Sequence, residues 1–125
     1  LQKTRLLRPE IMLVNNPNTV LILLAAYKGN TYVREQIDSM LNQDCDNWKL
    51  VLSDDGDFTK KILDSYANRF PDKIIRHRSG QRFGSAKAHF MHLIAHFKDA
   101  APYIMLSDQD DVWDVDTVSY THLTL

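Results

Sequence analysis

Three carboxylates stand within four positions in Ser107-Asp108-Gln109-Asp110-Asp111, directly after the apolar run Tyr103-Ile104-Met105-Leu106. Two unit charges about 4 Å apart repel by roughly 4 kcal/mol at the effective dielectric of a protein surface. Three acids packed at one strand end therefore call for a cation, or a protonated member, to relieve them. Hard divalent ions such as Mg²⁺ and Mn²⁺ take carboxylate oxygens, and Mg²⁺ is often shared between carboxylates and a substrate's phosphates. The spacing thus points to a metal–diphosphate site at Asp108 and Asp110. The plain alternative is a set of solvated loop acids, which one aspartate alone would satisfy. An EF-hand is excluded: counting from Asp108, position six is Trp113 instead of Gly, and position twelve is Ser119 instead of Glu.

A second acid cluster, Asp54-Asp55-Gly56-Asp57, closes another apolar run, Trp48-Lys49-Leu50-Val51-Leu52-Ser53. Elements must hold these clusters in place, and hydrophobic periodicity supplies them. Val20–Ala25 is continuous and apolar, as in a strand buried on both faces, and Tyr103–Leu106 reads the same way. Between the strands lie helical stripes: Val33, Ile37, Met40 and Leu41; then Ile62, Leu63, Tyr66, Ala67 and Phe70; then Ala86, Phe90, Leu93, Ile94 and Phe97. Asn30 or Thr31 is expected to cap the first helix, and Asp57 or Thr59 the second, which Pro71 ends. Lys73–Arg78 supplies a short strand before the third helix, which begins near Ser85.

Strand–helix alternation of this kind specifies an α/β fold with a mostly parallel sheet and helices on both faces. Ligands of such open sheets bind beyond the carboxyl ends of the strands, near the point where strand order reverses. Tyr27, Asp54-Asp55 and Asp108–Asp111 all fall there.

With 125 residues, 44% hydrophobic and 25% charged, the chain has the composition of one soluble globular domain or part of one. A formal net charge of −1, with scattered Lys and Arg, offers no nucleic-acid surface. The lone Cys45 cannot form an internal disulfide and suggests a reducing, cytoplasmic setting. Next to two acids, it also lacks an electropositive neighbour to activate it as a nucleophile. Val20–Tyr27 is too short to cross a bilayer. Residues 1–19, broken by Pro9 and Asn15-Asn16-Pro17-Asn18, are expected to be a leader, with Met12 as a possible natural start. His89, His92 and His96 fall within about 60° of one another on a helix. Zinc is disfavoured there because no acid completes the set, and a polar helix edge titrating near neutral pH is expected instead.

In the order of the chain, Leu23-Leu24-Ala25-Ala26-Tyr27, Glu35–Gln43, Trp48–Gly56 and Ser107–Trp113 together resemble the nucleotide-binding half of a family 2 glycosyltransferase. The implied architecture is the Rossmann-like GT-A fold over residues 20–116. The last string is similar to a bacterial subgroup that includes rhamnosyltransferases of surface-polysaccharide synthesis. The resemblance implies that Asp55 hydrogen-bonds the base of a UDP- or dTDP-linked sugar and that Tyr27 packs near that base. It implies that Asp108 approaches the ribose or donor sugar and that Asp110 coordinates Mg²⁺ or Mn²⁺ bridging the phosphates. Lys87, early in the third helix, would add positive charge, although a solvated lysine is an equally ordinary reading.

This sequence shortens the family's loop at Asp57-Phe58-Thr59, and it carries Lys28 and His89 where asparagine is common. Residues 117–125 do not follow the family and read as non-native. The acceptor-binding half, with its general base and its glycan or lipid-linked acceptor, is expected beyond Trp113. Localisation is expected to be cytoplasmic, at the inner face of the membrane where the whole protein is anchored. Two alternatives stand beside this reading. A haloacid dehalogenase-type phosphatase would use Asp108 as nucleophile and Asp110 as general acid. A non-catalytic nucleotide-binding fragment would do no chemistry at all.

Overall fold

A computed structural model describes residues 19–27, 32–57 and 59–108 of the chain. The elements are β1 (Val20–Ala26), α1 (Val33–Leu41), β2 (Trp48–Asp54), α2 (Lys60–Arg69), β3 (Ile74–His77), α3 (Ala86–Phe97) and β4 (Tyr103–Asp108). All strand pairs are parallel, and the sheet order is β3-β2-β1-β4. The chain therefore builds outward from β1 to β3, then crosses back to lay β4 on the other side of β1. That reversal places a crevice at the carboxyl ends of β1 and β4.

β1 is the centre of the core because alternate side chains leave it toward opposite faces. Val20, Ile22, Leu24 and Ala26 pack with Val33, Ile37 and Met40 of α1 and Leu63 and Tyr66 of α2. Leu21, Leu23 and Ala25 pack with Leu93 and Phe97 of α3. Every β1 residue is buried on one face or the other, which explains its unbroken apolar sequence.

Several expectations need correction. β4 is an edge strand, and Leu106 is 46% exposed, so among the described residues it is not buried on both faces. The N-cap of α1 is Tyr32, which makes no side-chain capping bond, while Asn30 and Thr31 lie outside the described residues. The N-cap of α2 is Thr59, whose hydroxyl also makes no cap; the Asp54 carboxylate accepts from the Thr59 N–H instead, at 2.8 Å. On α3 the buried stripe is His89, Leu93 and Phe97, whereas Ala86 is exposed. The third helix begins at Ser85 as expected, and Ser85 also caps it, accepting from the Ala88 N–H at 3.1 Å. The expected leader (1–19, apart from Thr19) and the tail (117–125) lie outside the described residues.

Beside β3, Asp64 of α2 is an electrostatic hub. Its carboxylate accepts from Lys60 at 2.9 Å, and from Arg76 and Arg78 at 2.8 Å each. These three cations outweigh the cost of burial and hold Asp64 well below the usual carboxylate range. A carboxylate with a depressed folded pKa stabilises the fold above its unfolded value of about 3.9 and loses that contribution as pH falls further. Asp64→Asn is expected to lower stability at pH 7 by about 1–2 kcal/mol, on the scale of charge-assisted hydrogen bonds. It should also flatten the acid limb below about pH 4, as read by urea denaturation across pH.

Candidate functional site

The site grows from three strand ends. β1 pairs with both neighbours, so Ala26 lies opposite Asp54 of β2 and Ala25 lies opposite Asp108 of β4. The two acidic clusters are thereby brought to either side of one central strand. Asp108 is placed by its backbone at the end of β4; Asp110 and Asp111 lie outside the described residues.

Asp54 is buried, with one carboxylate oxygen on the Thr59 N–H and the other, Oδ1, without a partner among the described residues. Burial pushes its pKa up, and its bonds to Thr59 and the nearby Arg76 oppose that. Asp54 thus serves the start of α2, and Asp55 faces the other way. The Asp55 N–H donates to the Ala26 carbonyl at 2.7 Å. Its two carboxylate oxygens accept from the Phe83 N–H at 2.7 Å and the Gly84 N–H at 3.1 Å. One residue therefore ties together the end of β1, the turn after β2 and the glycine-punctuated loop before α3. Gly84 sits at φ +79°, where an L side chain is strained even though the space around it is open.

Between these parts lies a cleft of about 170 Å³, lined by Ala25, Tyr27, Asp55, Gly84, Ser85, Ala86 and His89. Tyr27 is half-exposed at its rim. His89 forms its floor. It is 2% exposed, its Nε2 lies 2.7 Å from Ser53 Oγ, and its ring stacks on Phe83 with centroids 4.4 Å apart. Burial lowers its pKa to about 4; the Asp55 carboxylate pulls upward and His92 downward. His89 is therefore neutral at physiological pH, a correction to the titrating helix edge expected for it.

Of the residues singled out from the sequence, Tyr27 and Asp55 meet in the cleft. Asp108 reaches the adjoining strand end. Lys87 is exposed on the first turn of α3 and is not part of the cleft lining. Sequence reasoning missed His89, Ser53 and Phe83. The signal for His89 was its place four residues before Leu93 and eight before Phe97, on the buried stripe. It also missed Gln36, whose amide donates to Ser107 Oγ at 2.8 Å, a buried polar bridge fastening the end of β4 to α1.

A family model described as "Glycosyl transferase family 2" matches residues 21–121. The dTDP-rhamnosyl transferase RfbG of Shigella flexneri is 32% identical over 98 residues, which are 76% of this chain and 34% of that protein. EpsE of Bacillus subtilis (strain 168) is 30% identical over 103 residues, 79% of this chain and 35% of its own length. The chain thus spans about one third of the curated relatives it matches. Among solved structures, S. aureus TarS 1-349 in complex with UDP superposes with a TM-score of 0.68 at 19% identity, covering 84% of this chain and 31% of that one. The same TarS region in complex with UDP-GlcNAc gives 0.67 at 19% identity, covering 84% and 30%. These superpositions establish that the mostly parallel sheet with flanking helices is the GT-A arrangement.

Proposed function

The chain belongs to glycosyltransferase family 2, and from that membership we propose that it is the donor-binding part of an enzyme transferring a sugar from a nucleoside diphosphate to a glycan or lipid-linked acceptor. The observation that carries this is the cleft itself. It lies at the reversal of strand order, it is lined by Tyr27 and Asp55, and Asp108 ends the adjoining strand. Its mixed lining suits a flat polar base: an aromatic ring at the rim, a carboxylate wall and an imidazole floor. The UDP complexes of TarS and the dTDP-sugar chemistry in the name of RfbG support a pyrimidine nucleotide as donor.

In this reading Tyr27 packs against the base. Asp55 holds the loop and still has lone pairs to accept from a base N–H, because a carboxylate offers about four acceptor sites. Asp108 stands toward the ribose or donor sugar, and Lys87 adds positive charge near the diphosphate. Carboxylate oxygens are the donor set that Mg²⁺ and Mn²⁺ take, and Asp110, two residues beyond Asp108, would hold the ion. A bound ion would stabilise charge developing on the leaving diphosphate as a Lewis acid. The general base belongs to the acceptor half beyond this chain. Among the described residues no helix is long and apolar enough to cross a membrane. A cytoplasmic site at the inner membrane face fits a lipid-linked acceptor. The family match removes support for the phosphatase role of Asp108.

The test is titration calorimetry of UDP and dTDP against the folded chain, with Mn²⁺ and then with EDTA. We expect binding that EDTA weakens roughly tenfold, about 1.4 kcal/mol, and an Asp110→Ala variant insensitive to Mn²⁺. A folded chain that binds neither nucleotide overturns the donor-site reading.

A further inference from the structure

The helices α1 and α2 pack on one face of the sheet and α3 on the other. Between α1 and α2 lies an open pocket of about 110 Å³, lined by Arg34 of α1 and by Lys61, Ile62, Ser65, Tyr66 and Arg69 of α2. It shares no residue with the cleft beside α3. Tyr66 is its buried wall, only 4% exposed. The Tyr66 hydroxyl donates to Asp38 Oδ1 at 2.7 Å and lies 3.4 Å from the Arg34 carbonyl, so it ties the two helices together. The Arg69 guanidinium rests over the Tyr66 ring, 4.6 Å from its centroid, and lies 5.4 Å from that of Phe70.

Charge around this pocket does not balance. Asp64 takes Lys60, Arg76 and Arg78, and among the described residues no carboxylate pairs with Arg34, Lys61 or Arg69. Asp38, one turn along α1 from Arg34, accepts from Tyr66 instead. Like charges gathered around one pocket repel, and a bound anion relieves them. Solvent screens exposed cations, but here they are also arranged. Lys61, Ser65 and Arg69 stand at i, i+4 and i+8, one stripe along α2, and Arg34 lines the pocket from α1. Stacking on Tyr66 orients one guanidinium fork in advance.

We propose that this pocket binds a phosphate group, with Arg34, Lys61 and Arg69 as its cationic partners and Ser65 as a hydroxyl donor. Guanidinium forks match phosphate oxygens bidentately, and a lysine adds a point charge. A phosphomonoester carries about −1.5 to −2 charge and three strong acceptor oxygens at pH 7, enough to engage all three cations. A carboxylate, with one charge and two oxygens, satisfies fewer of them. Free phosphate and a phosphomonoester lipid headgroup offer the same chemistry to the pocket.

The experiment titrates inorganic phosphate into the folded 125-residue chain, in EDTA and without nucleotide, and follows its NMR signals. Saturable shifts should appear at Arg34, Lys61, Ser65 and Arg69, with a dissociation constant on the order of 1 mM, the scale for a small ligand in an open pocket. Arg34→Gln, Lys61→Gln and Arg69→Gln should each weaken binding roughly fivefold to tenfold, as for one charge-assisted hydrogen bond. Lys98→Gln, an exposed cation at the end of α3, should leave it unchanged. Circular dichroism checks each variant's fold. Shifts that are absent, confined to Gly84 and Ser85 at the cleft, or undiminished in folded Arg34→Gln and Lys61→Gln overturn the proposal and leave solvated surface cations. A second arm sediments the chain with phosphatidylcholine vesicles, with and without phosphatidic acid. Vesicle binding that requires phosphatidic acid and is lost in Arg34→Gln assigns the phosphate to a lipid headgroup. Phosphate uptake without vesicle binding assigns it to a soluble molecule. No readout involves nucleotide or metal, so the pocket stands or falls apart from the donor site.

Discussion

Replacing Asp55 with alanine is expected to weaken UDP binding roughly a hundredfold, about 2.7 kcal/mol. The expectation has two sources. The carboxylate holds the Phe83 and Gly84 amides, and hydrogen bonds to a charged group contribute about 1.5–3 kcal/mol each. Losing them frees the loop that forms one wall of the cleft. On the proposed donor-site reading, the second source is the lost acceptor for the base. Asp55→Asn separates the two, since one amide oxygen can still accept a loop N–H while the negative charge is gone. Amide exchange at Phe83 and Gly84 reads the loop, and calorimetry reads the nucleotide. If Asn keeps the loop protected yet loses UDP, direct contact with the base dominates. If protection and binding fall together, Asp55 works mainly by bracing the wall. A folded Asp55→Ala protein with unchanged UDP affinity would remove this residue from the donor site altogether.

Acidification should expose the other large effect, at His89. Its imidazole is buried and neutral with a pKa near 4, against 6.5 in the open chain. Above pH 6.5 neither state binds the proton, and folding carries no penalty. Between 6.5 and about 4 the unfolded chain takes up the proton and the folded chain does not, so stability falls with pH. At about 1.4 kcal/mol per pH unit, the loss across that window is on the order of 3 kcal/mol. Below it the contribution levels off, and the Asp64 window begins. His89→Gln has no group to titrate, so its stability should be nearly flat from pH 6.5 to 4, whatever its cost at neutral pH. Urea midpoints at half-unit steps of pH check this. Equal slopes for wild type and variant would show that His89 is solvated, and that the floor of the cleft is not closed as described.

These two residues also show how much could be read from the chain and why the rest could not. The Asp54-Asp55 pair was legible at a strand end because an apolar run ending in Asp-Asp-Gly marks one, and strand ends of parallel sheets bind ligands; only the family resemblance singled out Asp55 of the two. Its bracing role was not legible. Phe83 and Gly84 lie 28 and 29 residues away, and only the crossover from β2 through β3 returns them to it. His89 read as polar because composition ranks histidine between core and surface; its burial follows from α3 docking that stripe against Ala25 and Val51.

The sequence by itself determined the elements and their alternation, because local periodicity and buried-strand runs depend on near neighbours alone. It also placed the acids at strand ends. Tertiary structure decided the strand order, which among the described residues makes β4 an edge and sets Asp54 and Asp108 on either side of β1. It decided which histidines meet as well, putting His77 where the helix spacing had suggested His89. Pairings between distant segments follow from how sheet faces are covered and crossovers close, and no local window of sequence carries that information.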